Sequence, residues 1–206
     1  MYTTKQKIVN ASIELFNQNG IDAVRLQQIA EETGISVGNL AYHFKNKDAI
    51  VESVYEFIFD DFSNVLREYA VSTSMTSFDA QLSLYYEFFD KYQFYIADFF
   101  KTNNTPTEHQ QIWQEYVTKM LIQIKSRIDY QVLSENFKPE SISGLYQQVA
   151  ENVWSNLIFY IQKCRMRGIS PTEMQYKYAV WNQFRAYFTE LGLAEFNHLI
   201  LPIFSY

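Results

Sequence analysis

Residues 25–47 read RLQQIAEETGISVGNLAYHFKNK, and the punctuation of that stretch decides the fold. Leu26, Ile29 and Ala30 fall on one face of a helix, and Gly34 supplies the positive-φ position at which such a helix ends. Ser36 is placed to accept a hydrogen bond from the free amides of a second helix, Val37 to Phe44, only a tight turn later. Asn46 repeats that role for a third helix starting at Lys47. Helix, short glycine-containing turn, helix is the sequence form of a DNA-binding helix-turn-helix, in which the second helix enters the major groove.

The side chains of that second helix divide by chemistry. Val37, Gly38 and Asn39 occupy its first turn, where base edges are nearest. Asn39 donates and accepts at once, which suits adenine; Val37 suits a thymine methyl; Gly38 lets the backbone approach closely. Tyr42 and His43 follow one turn later with polar tips suited to phosphate oxygens, and Lys47 adds a charge at the next helix start. Leu40 and Phe44 are core residues that lock the helix against Ile29 and Ile13. Over residues 1–50 the formal charge is zero, because Lys5, Lys7, Arg25, Lys45 and Lys47 balance Glu14, Asp22, Glu31, Glu32 and Asp48. Position matters more than the sum: Arg25 precedes the segment that enters the groove, and Lys45 and Lys47 follow it.

Working outward, Ile8, Ala11, Ile13, Leu15 and Phe16 give residues 4–19 a helical spacing that ends at Asn19-Gly20. A longer helix runs from Lys47 through Ile50, Val54, Phe57, Ile58 and Val65 toward Tyr69. The polar run at residues 72–77 breaks the chain, and Thr76 with Asp79 marks a new start. Phe78, Leu82, Tyr85, Phe89, Tyr92, Ile96 and Phe99 then predict one long helix with a buried stripe. Thr105-Pro106-Thr107-Glu108 and Ser170-Pro171-Thr172-Glu173 each combine a capping pair with proline at the first helical position. Between them the pattern predicts helices over 106–133 and 144–164, separated by a loop at 136–143. A helix from Pro171 to about Leu191 follows, interrupted by Gly192, with a last turn or two over 194–200. The reading is all-α, about nine helices, with a head at residues 1–47 and a helical body at 48–206.

Composition sets the limits. The chain has 206 residues, 48% hydrophobic and 17% aromatic, enough for one large or two small cores. A formal net charge of −6 excludes a protein that coats nucleic acid over its whole surface, so any DNA contact is local. No signal-peptide core and no apolar run of about 18 residues is present, so a cytoplasmic protein without a membrane span is expected. Cys164 is the single cysteine, and His43, His109 and His198 are scattered, so neither a disulfide within the chain nor a metal site is expected. One rival motif overlaps the turn: Gly34-Ile35-Ser36-Val37-Gly38 fits G-x-S-x-G, the nucleophile elbow of α/β-hydrolases. That elbow needs a strand before its serine, whereas Leu26 to Thr33 are helical in pattern. No catalytic residues and no cofactor are expected.

Between Gly20 and Lys47 the sequence resembles the N-terminal DNA-binding domain of TetR-family transcriptional regulators, through Ile29-Ala30, Gly34-Ile35-Ser36, Gly38 to Leu40, Tyr42-His43-Phe44 and Lys47 in one register. The resemblance implies DNA contacts at Tyr42, His43 and Lys47. With the groove argument, this gives a DNA-contacting set of Arg25, Gln27, Ser36, Val37, Gly38, Asn39, Tyr42, His43 and Lys47. It further implies an effector site in the body, for which Tyr92, Trp113, Tyr116 and Trp154 are the aromatic candidates and an apolar or aromatic small molecule the expected ligand. The family pairs through its last long helices, and useful specificity asks for two half-sites. Val153, Leu157, Tyr160, Val180, Phe184 and Tyr187 are the matching candidates for a homodimer interface. Three positions depart from the family pattern. Ala41 replaces a usual phosphate-contacting tyrosine, Val24 and Arg25 stand where Thr or Ser commonly caps, and Gln27 stands where a basic residue is frequent. The expectation is a ligand-responsive repressor that binds a pseudo-palindromic operator as a homodimer. The alternative is a helical ligand-binding or scaffolding protein whose degenerate head no longer binds DNA.

Overall fold

The computed structural model describes residues 2–68, 71–99 and 108–204. Over these the chain forms α1 (Thr4–Asn19), α2 (Leu26–Thr33), α3 (Val37–His43), α4 (Lys47–Glu68), α5 (Met75–Lys91), α6 (Gln93–Phe99), α7 (Glu108–Leu133), α8 (Leu145–Met166), α9 (Glu173–Trp181) and α10 (Glu190–Leu199). Short 3-10 turns lie at Asn182–Phe184 and Leu201–Phe204. Among the described residues, β-type pairing is confined to an isolated antiparallel bridge between Phe137 and Phe188, so the all-α reading holds. The chain divides into two compact units, residues 1–62 with 91–112 and residues 63–90 with 113–206; α4 and α7 each contribute to both.

In the first unit, α1 opens with a reciprocal cap. The Gln6 amide donates to the Thr3 hydroxyl at 3.2 Å, and the Gln6 side chain accepts from the Thr3 amide at 2.9 Å. Its inward face buries Ile8, Ile13 and Phe16, and Phe16 meets Phe94 of α6 edge-on at 5.5 Å. The long helix expected over residues 78–99 is two helices, broken at Tyr92. Asn17 of α1 explains the break: its Nδ2 donates to the Lys91 carbonyl at 2.8 Å and its Oδ1 accepts from the Phe94 amide at 3.0 Å. One side chain thus satisfies backbone groups that an uninterrupted helix would have paired internally. Lys91 and Tyr92 both donate to the Asp61 carboxylate of α4, fixing the bend from the other side.

In the second unit, α5 begins earlier than Thr76. The Ser74 hydroxyl accepts from the Ser77 amide at 3.2 Å, so Ser74 is the cap. Asp79, expected to complete a Thr76 cap, is buried instead, accepting from Lys177 Nζ and from Trp181 Nε1, each at 2.9 Å. Around it Phe78, Trp181, Phe184, Phe137, Phe188 and Phe196 form a run of ring contacts 5.0–6.0 Å between centroids. Along α7, Gln123 and Gln131 donate to the carbonyls of Leu66 and Thr73.

The helix starts marked by proline fare unevenly. The cap expected at residues 105–108 lies outside the described residues apart from Glu108. At the second, Thr172 rather than Ser170 is the cap, pairing reciprocally with Gln175, so Pro171 precedes the helix instead of opening it. The helix expected from Pro171 to Leu191 ends at Trp181, and Gly192 does not interrupt a helix but lies inside α10, which Thr189 caps by accepting from the Gly192 amide. The cause is the 136–138 segment. It takes the Thr189 amide at the Asn136 carbonyl and gives the Lys138 amide to the Tyr187 carbonyl, the two bonds that flank the Phe137–Phe188 bridge. A Cβ on Gly192 would lie 1.9 Å from the Asn136 carbonyl oxygen, so only glycine lets α10 approach this loop.

Candidate nucleic-acid interface

The turn between α2 and α3 is built as its sequence suggests. Gly34 ends α2 at φ 71°, ψ 30°, with its amide donating to the Glu31 carbonyl and the Ile35 amide to Ala30. The Ser36 hydroxyl then accepts from the Asn39 amide at 3.1 Å, opening α3. At the start of α2, Arg25 offers no side-chain acceptor. The Gln28 side chain instead accepts from the Arg25 amide at 2.8 Å, which supplies half of the cap that a Thr or Ser would complete. Asn46 Oδ1 accepts from the Ala49 amide at 2.9 Å and starts α4. Ile13, Ile29, Leu40 and Phe44 are all buried, as expected for the residues that seat α3.

The opposite face of α3 is open. Arg25, Gln27, Ser36, Val37, Gly38, Asn39 and Tyr42 are exposed, His43 and Lys47 half-buried. Tyr42 is 85% exposed, an unusual state for an aromatic ring, and meets His43 edge-on at 5.3 Å. Gly38 has no reason to be glycine within the chain: a Cβ there would meet nothing nearer than Ser36 Oγ at 3.9 Å. A glycine inside a helix costs about 1 kcal/mol relative to alanine, and the fold does not require it here. Ala41 is exposed beside these residues. Lys47 Nζ donates to the Asp22 carbonyl at 3.1 Å, tying the start of α4 to the loop before α2. Lys5 Nζ stands 5.4 Å from the Phe44 ring centre.

The hydrolase elbow is absent: a helix, not a strand, precedes Ser36, and Gly34 is that helix's stop. Among the described residues no three His, Cys, Asp or Glu side chains gather as metal ligands, and no helix is long and apolar enough to cross a membrane.

The aromatic candidates for an effector site are scattered by the fold. Tyr92 is buried in the first unit with its hydroxyl on Asp61; burial and then the carboxylate push its phenol well above the usual range, so it remains a donor. Trp113 is buried in the second unit against Phe88, Phe89 and Tyr116. Tyr116 lines an open groove with Arg67, Lys119 and Gln123. Trp154 is half-buried, and its indole N–H bonds to nothing in the chain. None of the four lines the apolar cavity between Met75, Phe78, Ile124, Phe137, Trp181 and Phe184, whose free volume of about 20 Å³ is room for about one water molecule.

The dimer candidates need a correction. Val153, Leu157, Val180 and Phe184 are already buried within the chain, so they have no surface left to give a partner. Periodicity identified the apolar face of α8 but could not say that the chain's own core consumes it. Tyr160 and Tyr187 stay half-buried. The open face of the α8–α9 pair is lined by Asn152, Ser155, Asn156, Phe159, Lys163, Ala179 and Gln183.

The family model described as bacterial regulatory proteins, tetR family, matches residues 8–54, covering α1, α2, α3 and the start of α4. Over 105 residues the chain is 34% identical to the biofilm operon icaADBC HTH-type negative transcriptional regulator IcaR of Staphylococcus aureus (strain Newman), covering 50% of this chain and 56% of that protein. It is 30% identical over 80 residues to the probable HTH-type transcriptional regulator YttP of Bacillus subtilis (strain 168), 39% of each chain. The chain thus spans about half the length, or less, of these curated relatives. Among solved structures, a TetR-family transcriptional regulator from Marinobacter aquaeolei VT8 superposes with a TM-score of 0.77 at 21% identity, covering 96% of this chain and 99% of that one. The SmeT–triclosan complex gives 0.60 at 13% identity, covering 91% and 92%. These identities carry the fold alone, and the matched proteins are regulators rather than enzymes. The head over residues 8–54 thus matches the tetR family model in sequence, and the whole chain shares its fold with solved TetR-family structures.

Proposed function

We propose that this chain is a ligand-responsive transcriptional repressor that binds a pseudo-palindromic operator as a homodimer, with residues 1–47 as its reading head and residues 48–206 as its effector-binding and pairing body. The observation that carries the reading is the two-sided character of α3. Leu40 and the adjoining Phe44 are buried, while Val37, Gly38, Asn39 and Tyr42 are left exposed on a helix the fold presents edge-on after a tight turn. In this reading Asn39 and Val37 contact base edges, Gly38 lets the backbone approach, and Tyr42, His43, Lys47 and Arg25 lie near phosphate, with Gln27 and Ser36 at the flank. Repression is supported by the negative regulator among the relatives, and a small-molecule effector by the triclosan complex among the fold neighbours. Pairing then uses the open α8–α9 face with Tyr160 and Tyr187 at its edge, and sets the two heads on half-sites about one helical turn apart or a small multiple of it. A DNA-reading role also keeps the protein in the cytoplasm.

The test is binding of the purified protein to DNA flanking its own gene, against random DNA, over a range of salt. Preference for one fragment with a steep salt dependence supports the regulator. Equal binding to all DNA at low salt sinks it and favours the second reading, a helical ligand-binding protein with a degenerate head. The neutral charge of residues 1–50 and the alanine at position 41 are what keep that second reading in view.

A further inference from the structure

On α4, Ser63, Leu66 and Arg67 are three or four residues apart and so share one face; on α7, Tyr116, Lys119 and Gln123 do the same. With Ile122 these side chains line an open groove in the second unit, with a free volume of about 350 Å³. That is room for a small organic molecule, since ligand sites run from about 300 to 1,000 Å³. One bond pins the two helices here: Gln123 Nε2 donates to the Leu66 carbonyl at 2.8 Å. Leu66 is buried, Tyr116 half-buried and Ile122 61% exposed, so part of the lining is apolar surface open to a ligand.

The charge of the groove runs against that of the chain. Acidic residues outnumber basic ones by 23 to 17, yet the groove is lined by Arg67 and Lys119 and by no carboxylate. Among the described residues Lys91, Lys125 and Lys177 each pair with carboxylates, whereas Arg67 and Lys119 are in no ion pair. Arg67 gives one guanidinium nitrogen to Asn64 Oδ1 at 2.7 Å, and Lys119 Nζ stands 5.3 Å from the Tyr116 ring centre. Neither contact neutralises a charge.

We propose that this groove is a binding site for an aromatic carboxylate, a flat apolar ring bearing one carboxylate head. Arg67 offers its remaining N–H groups to the head as a fork, and Lys119 adds a point charge. The ring lies on Leu66, Tyr116 and Ile122, where contact with the tyrosine adds to the burial of apolar surface. A cation is the wrong occupant, because two like charges meet it, and a neutral molecule leaves both cations unused. The proposal rests on the reading of the body as effector-binding and names the effector's chemistry.

The test is calorimetric titration of the full chain with 2-naphthoate and with 2-naphthamide, its uncharged counterpart. Naphthoate is expected to bind saturably, more weakly as salt rises, and about tenfold more tightly than the amide. Arg67→Gln and Lys119→Gln each weaken naphthoate about threefold, as the loss of an exposed ion pair does, and leave the amide unchanged. Both side chains are exposed, so the variants keep the wild-type melting temperature. Equal affinity for the two molecules, or a double variant that binds naphthoate like the wild type, overturns the site. A wild type that binds neither molecule overturns it too, and leaves the body's effector reading standing. Naphthoate binding that needs both cations yet leaves operator affinity unchanged upholds the site and removes its effector role.

Discussion

The connection between α2 and α3 and the connection between α9 and α10 both end one helix and begin another, but they are held by different means. In the first, each hydrogen bond that makes the turn comes from a residue within five positions of its partner: Gly34 to Glu31, Ile35 to Ala30, Asn39 to Ser36. In the second, the controlling partners are about fifty positions away, at Asn136 and Lys138, and the shape of Gly192 answers to the Asn136 carbonyl. A turn written locally can be moved between sequences as a motif. A turn written at a distance exists only in its own tertiary setting, and it fails when either side changes.

The largest effect expected is in the second region. Lys177→Met leaves Asp79 buried without its cation, and a broken buried pair costs about 3–5 kcal/mol, read from the midpoint of urea unfolding. A cost below about 1 kcal/mol would mean that Trp181 Nε1 alone holds the carboxylate. Next comes Gly192→Ala, whose Cβ has to displace the Asn136 backbone; overpacking of this kind costs about 3 kcal/mol by the same measurement. In the first region, Ser36→Ala removes one cap and costs about 1 kcal/mol, with loss of DNA binding as α3 frays. Gly38→Ala sharpens the contrast most. It is also a glycine inside a helix, but with open space around it, so alanine stabilises the chain by about 0.5–1 kcal/mol while weakening operator binding. If Gly38→Ala binds operator as well as the wild type, the close backbone approach assigned to Gly38 is wrong. The smallest effect is at Lys47→Ala, where a phosphate contact makes the log–log salt dependence shallower by about one unit. Weaker binding with the slope unchanged would assign Lys47 instead to its tie with the Asp22 carbonyl.

The same contrast explains what could be read from the sequence. The caps at Ser36 and Asn46 and the stop at Gly34 announce themselves, because residue type and spacing are enough to specify a contact three or four positions away. The buried face of α3 was equally legible, since Leu40 and Phe44 follow helical spacing. The break at Tyr92 was not, because the apolar stripe continues through it and only Asn17, far earlier in the chain, reveals where the backbone groups go. Asp79 was misread for the same reason: a polar residue near a helix start looks like a cap until Lys177 and Trp181 arrive from about a hundred positions downstream. In the body, periodicity marked Val153 and Leu157 as apolar but could not divide apolar residues between an internal core and a partner.

The bend at Tyr92 has a mechanical consequence. Asn17 grips the chain on both sides of the bend, at Lys91 and Phe94, and Asp61 holds it from α4 through Lys91 and Tyr92. A joint pinned from two helices transmits displacement rather than absorbing it. Asn17 sits in the last turn of α1, a few residues before the loop that leads into α2, so any movement of α6 strains hydrogen bonds made by α1. The bend therefore ties α6 directly to the last turn of α1 within the first unit.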